Sequence, residues 1–359
     1  MADEDTEGLL DGVRVLEMSH VMAAPSCGLL LADMGADVIK VERLPDGDQV
    51  RRSAPHMDGR SAPFAMMSRN KRGIAINPRS DEGRRTMLLL MEGSDVFLEN
   101  YRPGAMTHYG LGYDQVKDTM PRLIYCSISG FGQTGPYGDQ GGFDLVAQGM
   151  SGIMSFTGEG LGRPPVKVGA PLTDITAGAL AALGILGALF KRGINGRGQR
   201  VDTSLFEAGI MHTYWQTAIY LAGGGIAQAM GTAHPLMAPY QAFPTSDGWV
   251  IVGAANQKLW LQFIECLGVP HLADDDRFQE PAGRLANLEA LNENLFQATR
   301  NFTSAQLQEK LLEVGIPAGP VLDVAQMVDD PQTQAREMIR RAGGTHDAPM
   351  LVIGHPVKY

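Results

Sequence analysis

Short apolar runs alternate with longer amphipathic ones through the first half of the chain. "VRVLEM" (Val13–Met18), "DVIKVE" (Asp37–Glu42), "DVFLEN" (Asp95–Asn100) and "LIYCSIS" (Leu123–Ser129) are brief and rich in β-branched or apolar residues, which predicts strands. Between them, "PSCGLLLADMGA" and "SDEGRRTMLLLMEGS" read as helices. Pro25 suits a first helical turn, and Ser80 suits an N-cap followed by acids. A further helix is expected near "GYDQVKDTM". Strands alternating with helices at this spacing predict a parallel, doubly wound α/β sheet. Such sheets bind ligands beyond the carboxyl ends of their strands. The loops that matter are therefore "SHVMAAP", "ERLPDGD", "ENYRPGA" and "SGFGQTG".

The pattern changes in the second half. "AGALAALGILGALF" (Ala177–Phe190) is the longest apolar run; at 14 residues it is too short to span a bilayer and reads as a closely packed buried helix. From about Ala222, strand-like "WVIVGAAN" lies among the helical patterns "QKLWLQFIECLG" and "TSAQLQEKLLEVG", as in a small α+β domain. The expected division is 1–221 for a large sheet domain, 222–319 for the small domain and 320–359 for a return linker.

Composition narrows the function classes. The 359 residues are 44% hydrophobic and 19% charged, which suits a globular enzyme with a large core. A net charge of −10 argues against nucleic-acid binding. Cys27, Cys126 and Cys266 are far apart, and the eight histidines form no metal-ligand spacing. A reduced, cytoplasmic setting with no metal is expected, and the acidic N-terminus resembles no targeting peptide.

Two local features suggest chemistry. Gly130, Gly132 and Gly135 have the GxGxxG spacing of a dinucleotide loop. That loop should open directly into a helix after the first strand. Here it follows a later strand, and another glycine-rich turn intervenes, so a nicotinamide-dependent oxidoreductase is disfavoured. The second feature is basic. Between Arg43 and Arg72, seven Lys and Arg residues face three acids, Asp46, Asp48 and Asp58, a local +4 that would suit several phosphates.

Together these segments resemble the family III coenzyme A transferases. The resemblance rests on "LDGVRVLEMSHVMAAPSCGLLLADMGADVIKVER", "NKRGIAIN", "VFLENYRPGAM", "IYCSISGFGQTGPYG", "GAPLTDITAG" and "GRGQRVDTSLFEA", in order along nearly the whole chain. It implies a Rossmann-like large domain, a small domain and an interlocked ring homodimer. It also implies a CoA thioester as substrate, with no permanently bound cofactor, and Asp174 as a carboxylate nucleophile. The chemistry is consistent, because exchanging CoA between two acids needs a nucleophile that can leave again, through a mixed anhydride and an enzyme thioester. Asp174 lies where the long apolar helix begins, which favours its ionised form by a few tenths to about 1 kcal/mol. The plainer role for it there is a helix cap. By motif, Val21, Ala23, Arg43, Lys71 and Arg72 would contact CoA. Asn100, Tyr101 and Arg102 would line its path, and Gly130, Phe131 and Gly132 would let substrate approach the backbone.

Departures from the family sharpen the expectation. The related α-methylacyl-CoA racemases carry a His-Asp pair where this chain has Phe143-Asp144, so a base for proton removal is missing and transferase is favoured over epimerase. Asp144 is left with two roles, orienting the thioester or capping the next helix. Met22 and "GTAHPLMAPYQAFPTSDG" lack the glutamine and glycine-rich loop of formyl-CoA transferases, which argues against formyl-CoA and oxalate. That segment looks like the branch using dicarboxylates such as succinyl-CoA, with His234, Tyr240 and Gln241 as candidates for the distal carboxylate. The chain also ends at "GHPVKY", where family members continue into a further tail.

Overall fold

The computed structural model describes residues 8–57, 59–344 and 349–359. They form two compact units, the first made of described residues within 8–155, 166–227 and 335–359, the second of 156–165 with 228–334. The second unit thus takes up a short excursion at 156–165 and extends past residue 319 to 334.

Six strands form the sheet of the first unit: β1 (Arg14–Met18), β2 (Asp37–Arg43), β3 (Lys71–Ile76), β4 (Val96–Glu99), β5 (Ile124–Ser129) and β6 (Arg200–Ser204). All pairings are parallel, in the order β3-β2-β1-β4-β5-β6. This is the doubly wound order, with its switch point between β1 and β4. Alternation along the strands feeds two cores. Val15, Val96, Leu98, Ile124 and Cys126 face α1 (Ala23–Asp33) and its neighbours, while Leu16, Met18, Phe97 and Tyr125 join Met87 and Met91 of α2 (Asp81–Glu92). Ser80 caps α2 by accepting from Gly83 N at 3.0 Å.

Two further helices of this unit bear on the site, α3 (Asp144–Met150) and α4 (Leu172–Asn195). The 14-residue apolar run is the middle of this 24-residue α4, which is long and apolar enough to cross a membrane by length and composition. Its Ala177, Gly178, Ala181, Ala182, Ile185 and Ala188 are instead buried in the protein. Gly178 lies so close to Ala23 and Ser26 of α1 that any Cβ there would collide. Burial of that face identifies α4 as a core helix.

The second unit carries β7 (Tyr240–Pro244), β8 (Trp249–Gly253) and β9 (Ala318–Pro320), antiparallel in the order β9-β8-β7. Helices α5 (Gln257–Cys266), α6 (Leu288–Thr299) and α7 (Ser304–Glu313) supply Trp260, Phe263, Leu291, Leu295, Leu307 and Leu311 to its own core.

Candidate active site

A cavity of about 530 Å³ opens at the switch point of the first unit. Four loops at the strands' carboxyl ends wall it. His20 to Ala23 follow β1; Arg43, Asp46, Gly47, Gln49 and Arg52 follow β2; Asn100 to Pro103 follow β4; Ser129 and Gly130 end β5. Gln140 to Phe143 and Asp174 also line it, with Ala105, Ile128 and Leu205. Of the residues singled out in the sequence, Val21, Ala23, Arg43, Asn100, Tyr101, Arg102, Gly130 and Asp174 converge here.

The glycine-rich stretch works by close backbone approach. A Cβ on Gly130 would lie 2.6 Å from Gly142 Cα, so these two segments can cross only as glycines. That crossing carries Gln140–Phe143 into the cavity wall. Phe131 and Gly132 lie outside the lining. The Phe131 ring packs against Tyr137 and Phe206, and Gly132 N donates to Ser129 Oγ at 3.0 Å.

Asp174 is the third residue of α4, and among the described residues nothing donates to its carboxylate. Burial pushes its pKa up to about 6, and the nearby charge of Asp144 adds to the rise. These effects outweigh the helix terminus, which alone favours the anion. The capping role belongs to Asp144. Its Oδ1 accepts from Thr173 N at 2.9 Å and Thr173 Oγ1 at 2.8 Å, and its Oδ2 accepts from Gln148 Nε2 at 2.8 Å. Asp144 therefore ties the start of α3 to the start of α4 and fixes where Asp174 stands.

The +4 basic run is largely neutralised once folded. Arg51 holds Glu42, Arg69 holds Asp33, Lys71 holds Glu17 and Arg72 holds Asp37; Asp58 lies outside the described residues. Lys71 and Arg72 are not brought to the cavity. They begin β3, at the end of the sheet opposite its carboxyl ends. The Lys71 side chain is 1% exposed, and burial lowers its pKa. Arg72 is exposed and paired at the rim. Arg43, by contrast, faces the cavity with no carboxylate partner among the described residues, and Arg52 has only a 3.9 Å contact to Asp46.

Asn100 lines the cavity with its amide already occupied. Its Oδ1 accepts from His20 N at 3.0 Å, and its Nδ2 donates to His20 O at 2.9 Å, clamping the β1 loop to the β4 loop. His20 and Arg52 are site residues that sequence spacing did not single out. His20 packs edge-on against Tyr101, and burial lowers its pKa, so it is neutral near pH 7. In the second unit, His234 Nδ1 accepts from Leu236 N at 3.1 Å and its ring meets Tyr240, while Gln241 donates to Asn292 in the interior.

Fold and site together define a doubly wound α/β protein whose ligand cavity lies at the switch point, with cations on one side and a protonatable carboxylate on the other. Residues 10–359 match the model for CoA-transferase family III; the chain belongs to that family and is a CoA-transferase. It is 38% identical to the succinyl-CoA–D-citramalate CoA-transferase of Chloroflexus aurantiacus, over 94% of this chain and 84% of that one. It is 35% identical to the acetyl-CoA:oxalate CoA-transferase of Acetobacter aceti, over 98% and 89%. A CAIB/BAIF family protein from Brucella suis shares the fold with a TM-score of 0.87 and 38% identity, covering 99% of this chain and 93% of that one.

Proposed function

We propose that this enzyme moves CoA from succinyl-CoA or a similar donor to a dicarboxylic acid, with Asp174 as the nucleophile. The observation that carries the mechanism is Asp174 itself: a cavity-lining carboxylate with no hydrogen-bond donor among the described residues and a pKa of about 6. Such a group is mostly ionised at neutral pH yet more basic than an ordinary aspartate, so it attacks acyl carbonyls more readily. Attack on the donor thioester forms an acyl–aspartyl anhydride and expels CoA thiolate. The thiolate then attacks the aspartyl carbonyl, releasing the donor acid and leaving an Asp174–CoA thioester. The acceptor carboxylate attacks that thioester, giving a new anhydride and free thiolate. Attack of the thiolate on the acceptor's acyl carbonyl yields the new acyl-CoA and restores Asp174. Arg43 and Arg52 suit the CoA phosphates, and Arg102 suits the path between.

The substrate class follows the relatives, whose names include citramalate, a diacid; the oxalate in another relative's name runs against the expectation drawn from Met22 and the segment from Gly231 to Gly248. Phe143 on the cavity wall offers no base for α-proton removal, which disfavours epimerisation. His234 remains the proposed contact for a distal carboxylate. A homodimer belongs to the same reading, since exposed Leu183, Phe190 and Ile194 on α4, with Tyr214 and Leu221 nearby in sequence, offer apolar surface for a second copy. The free thiols Cys27, Cys126 and Cys266 suit a reducing cytoplasm. To test the mechanism, purified enzyme is incubated with succinyl-CoA and a mixture of dicarboxylic acids, and products are read by mass spectrometry. New acyl-CoA species that disappear in Asp174→Ala are expected. Exchange surviving in that variant would overturn the mechanism.

A further inference from the structure

Beneath the cavity's β1 and β2 loops lies a chain of buried charges that touches none of the lining side chains proposed to meet substrate. Glu17 sits on the α1-facing side of β1, where Val15 sets an apolar alternation, and is fully buried. Its Oε2 accepts from Lys71 Nζ at 2.7 Å, and its Oε1 accepts from Ser19 Oγ at 2.6 Å and Lys40 Nζ at 3.3 Å. Lys40 also pairs with Asp48 Oδ2 at 3.1 Å. None of these four charged side chains is more than 3% exposed. The helix above makes room for them: any Cβ on Gly28 of α1 would collide with the Glu17 carboxylate.

Lys40 Nζ also donates to Ser19 Oγ at 3.1 Å, and the other bonds of the chain end on backbone atoms. Lys71 Nζ donates to Pro25 O at 2.8 Å in the first turn of α1, and Lys40 Nζ donates to Ser19 O at 3.2 Å. Asp48 Oδ1 accepts from Val21 N at 3.3 Å and from Val50 N at 3.1 Å. Val21 has a φ of 63°, a left-handed conformation that a β-branched residue keeps only when its surroundings hold it. Among the described residues, Asp48 is thus the one side chain that hydrogen-bonds the His20–Ala23 wall to the Arg43–Arg52 wall. With two cations and two anions, the chain adds no net charge to the cavity above it.

We propose that Lys71, Glu17, Lys40 and Asp48 are positioning residues that hold these two walls in place before the ligand arrives. A site formed in advance binds more tightly because the ligand does not have to order the loops. Ionic groups serve here because Lys71, Lys40 and Asp48 each reach a neighbouring charge and a backbone group at once, while Glu17 links the two lysines, which apolar core residues cannot do. The proposal rests on the cavity being the CoA site.

The test is calorimetric binding of coenzyme A itself, paired with amide hydrogen exchange of peptides spanning Val21 and, as a control, α2. Wild type is compared with Asp48→Ala and Asp48→Asn. The alanine variant is expected to weaken CoA binding at least tenfold and to speed exchange at Val21 while α2 stays protected. Asparagine keeps an acceptor for Val21 N, so it is expected to restore part of both. Unchanged affinity and exchange in a folded Asp48→Ala would overturn the proposal, as would a uniform loss of protection with no rescue by asparagine. If Asp48→Ala does not fold, Lys40→Met is compared with wild type by the same two measurements, with the same outcomes deciding. Failure of the wild-type protein to bind CoA would sink the CoA reading of the cavity, and the exchange comparison would still decide the positioning role.

Discussion

The two sides of the cavity use carboxylates in opposite ways. Under the β2 loop, burial pushes Glu42 upward, but hydrogen bonds from Arg51 and the Asp48 backbone outweigh it and leave its pKa below the usual range. At the start of α4, burial pushes Asp174 up, the Asp144 charge pushes further, and no donor among the described residues opposes them. A paired carboxylate holds backbone in place; an unpaired one is available to react. Lys71 and Arg43 show the same contrast among cations. Lys71 is consumed by Glu17 and Pro25 in the interior, whereas Arg43 is left facing the cavity.

Four measurements would break or sharpen this contrast. Asp174→Asn should lower turnover by at least about 10³-fold, because an amide cannot form the anhydride. The same change should stabilise the fold by on the order of 1 kcal/mol above pH 6. The sign follows from the raised pKa: the folded state prefers protonated Asp174, so ionisation costs stability as pH rises through about 6, and the advantage of Asn should vanish below about pH 4. Denaturant unfolding at pH 4 and pH 8 checks this, and an Asn variant no more stable at pH 8 would mean Asp174 has a hidden partner. Next, Lys71→Met should cost about 3–5 kcal/mol in the same assay, as expected for breaking a buried pair from one side. A smaller effect is expected in the pH profile, where kcat/KM should rise through an apparent pKa of about 6. Asp144→Asn should move that limb to lower pH by removing the like charge while keeping an acceptor for Thr173; an unmoved limb would assign the titration elsewhere. Last, Arg72→Ala should leave CoA affinity within about twofold, since its partner is Asp37 at the far rim. A large loss would return Arg72 to the ligand path.

Much of the architecture was legible because it rests on local periodicity. "VRVLEM", "DVIKVE", "DVFLEN" and "LIYCSIS" are β1, β2, β4 and β5 to within about two residues, and Ser80 caps its helix as its hydroxyl and the following acids predict. The loops at the carboxyl ends follow from parallel topology, which is why eight of the named residues line one cavity. Lys71 and Arg72 were misplaced for a physical reason. Both precede the strand's apolar residues and so stand at its amino end, away from the site, and the strand's sequence does not reveal which charges meet a partner from another strand. Asp144 was ambiguous for the same reason, since the group it caps, Thr173, is 29 residues away.

Sequence alone determined the alternating strand and helix pattern, the order of the loops and the chemical identity of the groups, because these depend on neighbours along the chain. The tertiary structure decided which charges remain. Glu17, Asp37 and Asp33 come from distant segments to neutralise Lys71, Arg72 and Arg69, and Asp144 arrives beside Asp174 to raise its pKa. Charge acts through space and burial, so the same basic run that reads as +4 in sequence becomes, once folded, mostly scaffold, with Arg43 facing the cavity and no carboxylate partner for it among the described residues.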